Sequence, residues 1–368
     1  MSIVRVLHVV KVLNRGGAET MIMNIYRNID RKAVQFDFLC LSNLHGEYED
    51  EIKKLGGNIY KLPDPEEQGR FKNFFNIYKV IKNNGYRIIH SHIMFYNGFI
   101  NFIGWLAGVR TRISHSHSSS DLKKETYIRK MYMGFSRFLI NTFSNVKVAC
   151  GEKAGRYLYG KRRKYIVLKN GIDLNKYFSV TDKQVAELKN ELNIDQNNII
   201  IGHVGRFEKV KNHIFFINLA KKFKDKKLKY KIVLVGNGSE FDNIKNMIES
   251  EGLSQYFVLT GIRTNIEVFM KMFDIFLMPS LYEGFPLVVV EALAGDNVCF
   301  LSDNISKETN VIEGRVKFFN LNVNLDDLII QIQCVKKESV DLNGELTKSG
   351  FSICDIVKKL TDIYMSKE

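Results

Sequence analysis

Short, mostly apolar segments alternate with helically spaced segments along almost the entire chain, and few folds accept that pattern. VRVLHVV, FDFLCL, IIHSHI, TRISHSH, VKVAC and YIVLKN occupy the first half, and IIIGHVG, YKIVLVG, FVLTG, IFLMP and VCFLSD the second. Between them, ETMIMNIYRNI, FNIYKVIKNNG and IFFINLAKKFK carry apolar residues at helical spacing. Strands this apolar belong in parallel sheets covered on both faces by helices. At 368 residues the chain exceeds what one core fills, so the two series predict two domains. The expected boundaries are 1–168 and 169–350, with a last helix, 351–368, free to pack back on the first domain. The hinge falls at KNGIDLNKYF, where Asn170-Gly171 carries turn chemistry.

Charge and cysteines narrow the setting. Residues 1–168 hold 28 Lys+Arg against 13 Asp+Glu, and residues 169–368 hold 26 against 27, so the whole net charge of +14 sits in the first half. Within it, Lys123 to Lys164 carries 12 basic and 2 acidic residues, interleaved with Tyr127, Met131, Tyr132, Phe135 and Phe138. A basic, aromatic-laced amphipathic surface suits an anionic membrane face. No nucleic-acid-binding motif accompanies the charge, so nucleic acid is not an expected partner. The five scattered cysteines show no C-x-x-C spacing and read as reduced thiols of a cytoplasmic protein. MSIVRVLHVV is interrupted by Arg5 and His8 and reads as a first strand, not a signal peptide.

In open parallel sheets ligands bind beyond the carboxyl ends of the strands, and each candidate motif stands where a strand has just ended. Gly16-Gly17 opens a helix after the first strand, where backbone N–H groups can approach a phosphate. HVGRFEKVK sets Arg206 and Lys211 near a turn, two cations able to clamp a diphosphate. VGNGSE adds a tight turn at Gly236 and Gly238. LYEGFPLVVVEALAG brackets an apolar run with Glu283 and Glu291: Gly284 supplies a turn, Pro286 suits the first helical position, and Glu291 then lies inside a buried helix. A carboxylate there needs hydrogen-bond donors, and a sugar or ribose diol supplies two. His90, His92, His115 and His117 form two His-Ser-His triplets at strand ends. No carboxylate or cysteine stands at ligand spacing to complete a metal site, and a histidine bonded to a substrate hydroxyl is the favoured reading. With no D-x-D, a metal-held diphosphate is not indicated either.

Taken together, GGAE, the histidine loop, NGID, GRF…K, V-G-x-G and E-G-F-P-x-x-x-x-E resemble the GT-B retaining glycosyltransferases of family four, most of all bacterial capsule and exopolysaccharide transferases. The resemblance spans essentially the full length. It implies two Rossmann-like domains facing each other across a cleft, with no cofactor and no metal. It implies that Glu283 contacts the donor sugar and Glu291 the ribose, that Arg206 and Lys211 bind the diphosphate, and that the Gly16-Gly17 loop lies over the phosphates. Gly236, Gly284, Phe285, Pro286 and Leu287 join the donor site, the Thr260-Gly261-Ile262 loop rings the base, and His117 faces the donor sugar, with His115 as the alternative.

The implied reaction moves a hexosyl group from a nucleotide diphosphate sugar, UDP being the commonest, to a hydroxyl of a lipid-linked saccharide. One departure stands out: where the family continues with Gly-x-Pro, this chain reads Gly295-Asp296-Asn297-Val298. Two rival readings stand beside it: a non-catalytic transferase-like partner subunit, whose sole support is that turn, and another enzyme of GT-B shape, such as a nucleotide-sugar epimerase or a glycogen-type phosphorylase.

Overall fold

The computed structural model describes residues 3–64, 67, 69–118 and 126–366. The chain divides into two compact units, Met1–Gly171 with Gly350–Glu368, and Ile172–Ser349.

In the first unit, β1 (Val4–Val10), β2 (Val34–Cys40), β3 (Ile59–Lys61), β4 (Ile88–Ser91), β5 (Thr111–Ser116), β6 (Val146–Ala149) and β7 (Ile166–Val167) form one parallel sheet. Its order is β3-β2-β1-β4-β5-β6-β7. Alternate side chains of β1 divide between two cores. Val4, Val6 and Val10 pack with Phe36 and Phe38 under the helices Gly17–Asn28 and Ile353–Met365, while Leu7 and Val9 pack with Ile100 and Ile103 of the helix Asn97–Leu106. Both faces are thus apolar, which is why these strands lack alternation in sequence. The last helix belongs to this unit: Ile353, Ile356, Leu360 and Tyr364 are buried in its core.

In the second unit, β8 (Ile199–Val204), β9 (Tyr230–Val235), β10 (Phe257–Gly261), β11 (Ile275–Met278), β12 (Val298–Ser302) and β13 (Val316–Phe319) form a parallel sheet in the order β10-β9-β8-β11-β12-β13. Two strands had no counterpart in the sequence reading, β3 and β13. Each closes an edge of its sheet and is only partly buried, so neither has the continuous apolar run that marks a central strand.

Gly171 also serves differently from the turn its sequence suggests. A Cβ there would stand 2.3 Å from Ile356 Cδ1 and 3.0 Å from the Phe351 carbonyl oxygen, so the absent side chain lets the segment press against the last helix. Among the described residues no helix is long and apolar enough to cross a membrane.

Candidate active site

Strand order reverses between β8 and β11 in the second unit, and the two loops richest in candidate residues leave the sheet there. After β8, the GRF loop bonds back to the V-G-x-G turn after β9. Gly205 N–H donates to Val235 O, and Phe207 N–H donates to Asn237 O at 2.9 Å. A Cβ on Gly236 would lie 2.0 Å from Gly205 O, and one on Gly238 would lie 2.5 Å from Phe207 O. These glycines are required because two backbones touch, and Gly236 also sits at φ +138°. Gly236 N–H donates to Gly261 O, which ties in the loop after β10 and leaves Ile262 exposed beside it.

The loop after β11 carries Glu283, whose Oε1 accepts from Lys211 Nζ at 2.7 Å in a mostly shielded ion pair. The two loops are also bonded through their backbones, Leu281 N–H to Val210 O at 2.8 Å. Asn212, in the left-handed conformation at φ 56°, adds a side-chain bond to Pro279 O. Sequence reading assigned Lys211 to a diphosphate and Glu283 to a sugar as separate contacts. The structure joins them in one ion pair. Arg206 is exposed and makes no ion pair among the described residues.

The helix Leu287–Ala294 begins one residue after Pro286, which occupies the N-cap position instead of the first helical one. Gly284 is exposed, Phe285 and Leu287 are partly buried, and Pro286 is buried. Within this helix Glu291 is partly buried, and desolvation pushes its carboxyl up to about 7. A hydrogen bond from the Tyr177 hydroxyl opposes that rise, and the nearby charge of Glu267 adds to it. Tyr177, on the short helix Leu174–Phe178, is the donor that sequence reasoning missed. It lies in NGIDLNKYF, a stretch read only for its turn.

The departure at the end of this helix proves to be a built turn. Asp296 adopts φ +68° and its carboxylate accepts from buried Arg315 at 2.8 Å. Buried Asn297 donates through Nδ2 to Met270 O and Ala292 O. Asp and Asn tolerate the left-handed region better than other side-chain-bearing residues, so the lost Gly-x-Pro costs little here.

In the first unit the strand order reverses between β1 and β4, where the Gly16-Gly17 loop and the histidine loops emerge. The helix Gly17–Asn28 has no side-chain cap bond at Gly16. A Cβ on Gly16 would fall 2.4 Å from Glu19 Oε2, so the Glu19 carboxylate folds over the open helix end. Burial raises the Glu19 pKa, and its own backbone N–H opposes the rise.

The histidines form one assembly. His92 Nδ1 and His117 Nε2 are 2.8 Å apart, His8 Nδ1 and His92 Nε2 3.0 Å, and His90 Nε2 and His115 Nδ1 3.1 Å. His90 Nδ1 pairs with the Tyr364 hydroxyl at 2.8 Å. Desolvation lowers the pKa of all five rings, those of His8 and His117 to about 3. Sequence reading named the two triplets but neither His8 nor Tyr364. His8 lies opposite His90 in register, a relation only the sheet order creates.

Residues 15–176 match the family described as Glycosyltransferase Family 4, and residues 184–332 the family described as Glycosyl transferases group 1. The chain is 38% identical to the putative glycosyltransferase EpsF of Bacillus subtilis (strain 168), over 86% of this chain and 84% of that protein. The chain belongs to glycosyltransferase family 4. A second relative of this glycosyltransferase is the UDP-Gal:alpha-D-GlcNAc-diphosphoundecaprenol alpha-1,3-galactosyltransferase of Escherichia coli, 26% identical over 80% of this chain and 79% of that one. Among solved structures, Anabaena HepE in complex with UDP superposes with a TM-score of 0.79 at 17% identity, covering 98% of this chain and 100% of that one. At that identity the likeness concerns the fold, and it places the glycosyltransferase in the GT-B class expected from its sequence.

The helix Tyr127–Phe143 lies within the basic stretch of the sequence. Tyr127, Ile128, Met131, Phe135 and Phe138 are exposed on it, while Met133, Ser136, Leu139 and Ile140 face the core. Lys123 and Lys124, assigned to the same surface, lie outside the described residues.

Proposed function

We propose that the protein is a retaining hexosyltransferase that moves a sugar from a UDP-linked donor to a hydroxyl of a lipid-linked saccharide in capsule or exopolysaccharide assembly. The observation that carries this reading is the Lys211–Glu283 pair, set at the switch point of the second sheet and followed within one loop and helix by Glu291. One cation for a phosphate and two carboxylates for hydroxyls are what a nucleotide diphosphate sugar requires.

In the reaction, the bond between the anomeric carbon and the phosphate oxygen breaks and a bond to the acceptor oxygen forms on the same face. The acceptor's proton passes to the departing phosphate oxygen. Arg206 and Lys211 stabilise the charge that grows on the diphosphate, and no divalent metal is assigned to it. Glu283 accepts from the sugar's hydroxyls, Glu291 from the ribose, and exposed Ile262 with Gly261 offers an apolar surface to the base. Gly284, Phe285, Pro286 and Leu287 shape the loop around the sugar. From the first unit, Gly16 and Gly17 offer backbone N–H groups to phosphate oxygens, and His117 serves the transferred sugar.

The lipid-linked acceptor is supported by the diphosphoundecaprenol substrate in the name of the Escherichia coli relative and by the exposed aromatic face of Tyr127–Phe143. That face suits a protein working from the cytoplasm, held peripherally on the inner leaflet.

Calorimetry of a panel of nucleotides and UDP-sugars, without added metal and alongside Glu283→Ala, tests the reading. Binding of one UDP-sugar, weakened by the substitution, is the expected result. Absence of any nucleotide binding would refute it.

A further inference from the structure

We propose that His92, His115 and His117 form a binding site for a single transition-metal ion of the Zn2+, Ni2+ or Cu2+ type, and that its occupation inhibits sugar transfer. All three ligands belong to the first unit, whereas Arg206 and Lys211 belong to the second.

Geometry is the first support. The ligand atoms of these three residues lie within 4.8 Å of one another. His92 Nδ1 and His117 Nε2 already face each other at 2.8 Å. His115 Nε2 is buried without a hydrogen-bond partner, so it is the nitrogen of this ring open to an ion. Zn–N bonds of about 2.0–2.1 Å hold tetrahedral ligand nitrogens a little over 3 Å apart, so a small separation of the rings admits an ion.

An outer layer of partners is already in place. With the ion on His115 Nε2, its Nδ1–H donates to His90 Nε2 at 3.1 Å, and His90 Nδ1–H donates to the Tyr364 oxygen at 2.8 Å. With the ion on His92 Nδ1, its Nε2–H donates to His8 Nδ1 at 3.0 Å. Each of these two ligands therefore has a partner that fixes its tautomer, as metal-bound histidines commonly do.

A second triplet, His8, His90 and His92, shares His92 and cannot be filled at the same time. Both ring nitrogens of His90 are already engaged, and His8, His90 and His92 are all buried, whereas His117 is only partly buried and gives an entry. Three imidazoles without carboxylate or thiolate favour Zn2+, Ni2+ or Cu2+ over Mg2+ or Ca2+. A fourth position remains for water, as in other three-histidine sites.

Inhibition follows because the ion takes His117 from the donor sugar, a consequence that rests on the function proposed above; metal binding itself does not. The test titrates the full-length, chelator-treated protein with Zn2+ by calorimetry and with Co2+ by visible absorption. His92→Gln and His115→Gln are compared with His45→Gln, a change of an exposed histidine, and circular dichroism checks that each variant is folded.

One equivalent of Zn2+, intense tetrahedral Co2+ bands, and at least tenfold weaker binding in both cluster variants but not in His45→Gln are expected. No binding, or binding that survives His115→Gln but is lost in His8→Gln, overturns the site. In transfer assays, Zn2+ should inhibit wild type and a chelator should restore it. Full transfer by protein shown to hold the ion overturns the inhibitory role and leaves the donor reading intact.

Discussion

Lowering the pH from 8 to 6 should weaken binding of a UDP-sugar by about tenfold, and Glu291 should be the cause. Burial raises its carboxyl to about 7 in the free protein. Only the ionised form accepts hydrogen bonds from both hydroxyls of a ribose diol, so the ligand binds best to the deprotonated site. If those bonds return the group to its ordinary value of 4.5, the pK difference is worth about 3 kcal/mol at about 1.4 kcal/mol per unit.

The sign follows from where the proton sits. Above about pH 7 the free site is already ionised and affinity is flat; between 7 and 4.5 the free site must lose a proton on binding, so affinity falls with pH. A UDP-sugar is the proper probe, because its diphosphate is esterified at both ends and does not titrate in this window, whereas the terminal phosphate of UDP does. Isothermal titration in buffers of different ionisation enthalpy would count the released proton directly. A flat affinity from pH 8 to 6, or an equal slope in Glu291→Gln, would refute the ribose assignment.

Tyr177→Phe removes the one bond that holds the Glu291 pKa down, so the onset of weakening should move to higher pH, read from the same titrations. Glu291→Gln should unfold at higher temperature than wild type at pH 8 and lose that advantage at pH 5, because a carboxyl whose folded pKa is raised destabilises the fold as pH climbs from 4.5 through about 7; equal melting temperatures at pH 8 would contradict the burial cost. Glu291→Ala should weaken UDP-sugar binding by roughly 1 to 3 kcal/mol at pH 8, the cost of a lost charged hydrogen bond. Reversing charge at Lys123, Lys124, Arg129 and Lys130 together should weaken sedimentation with anionic vesicles while leaving UDP-sugar affinity unchanged, and undiminished vesicle binding would remove the membrane role.

The sequence by itself determined the fold class. Apolar strands buried on both faces, helices of matching spacing and Gly-rich strand ends are local properties, legible wherever the periodicity is strong. Motif order along the chain was equally legible, and it was enough to name the family. Edge strands β3 and β13 escaped because a half-exposed strand carries a weak apolar signal.

Only tertiary structure decided which of these residues meet. Lys211 and Glu283 pair because β8 and β11, distant in sequence, are neighbours at the switch point. His8 joins the two His-Ser-His triplets because β1 lies beside β4, and Tyr364 reaches His90 because the last helix returns to the first unit. The raised pKa of Glu291 likewise depends on what surrounds it. Desolvation and hydrogen bonding are set by neighbours in space, and in a parallel sheet those neighbours come from strands separated by whole helices and loops.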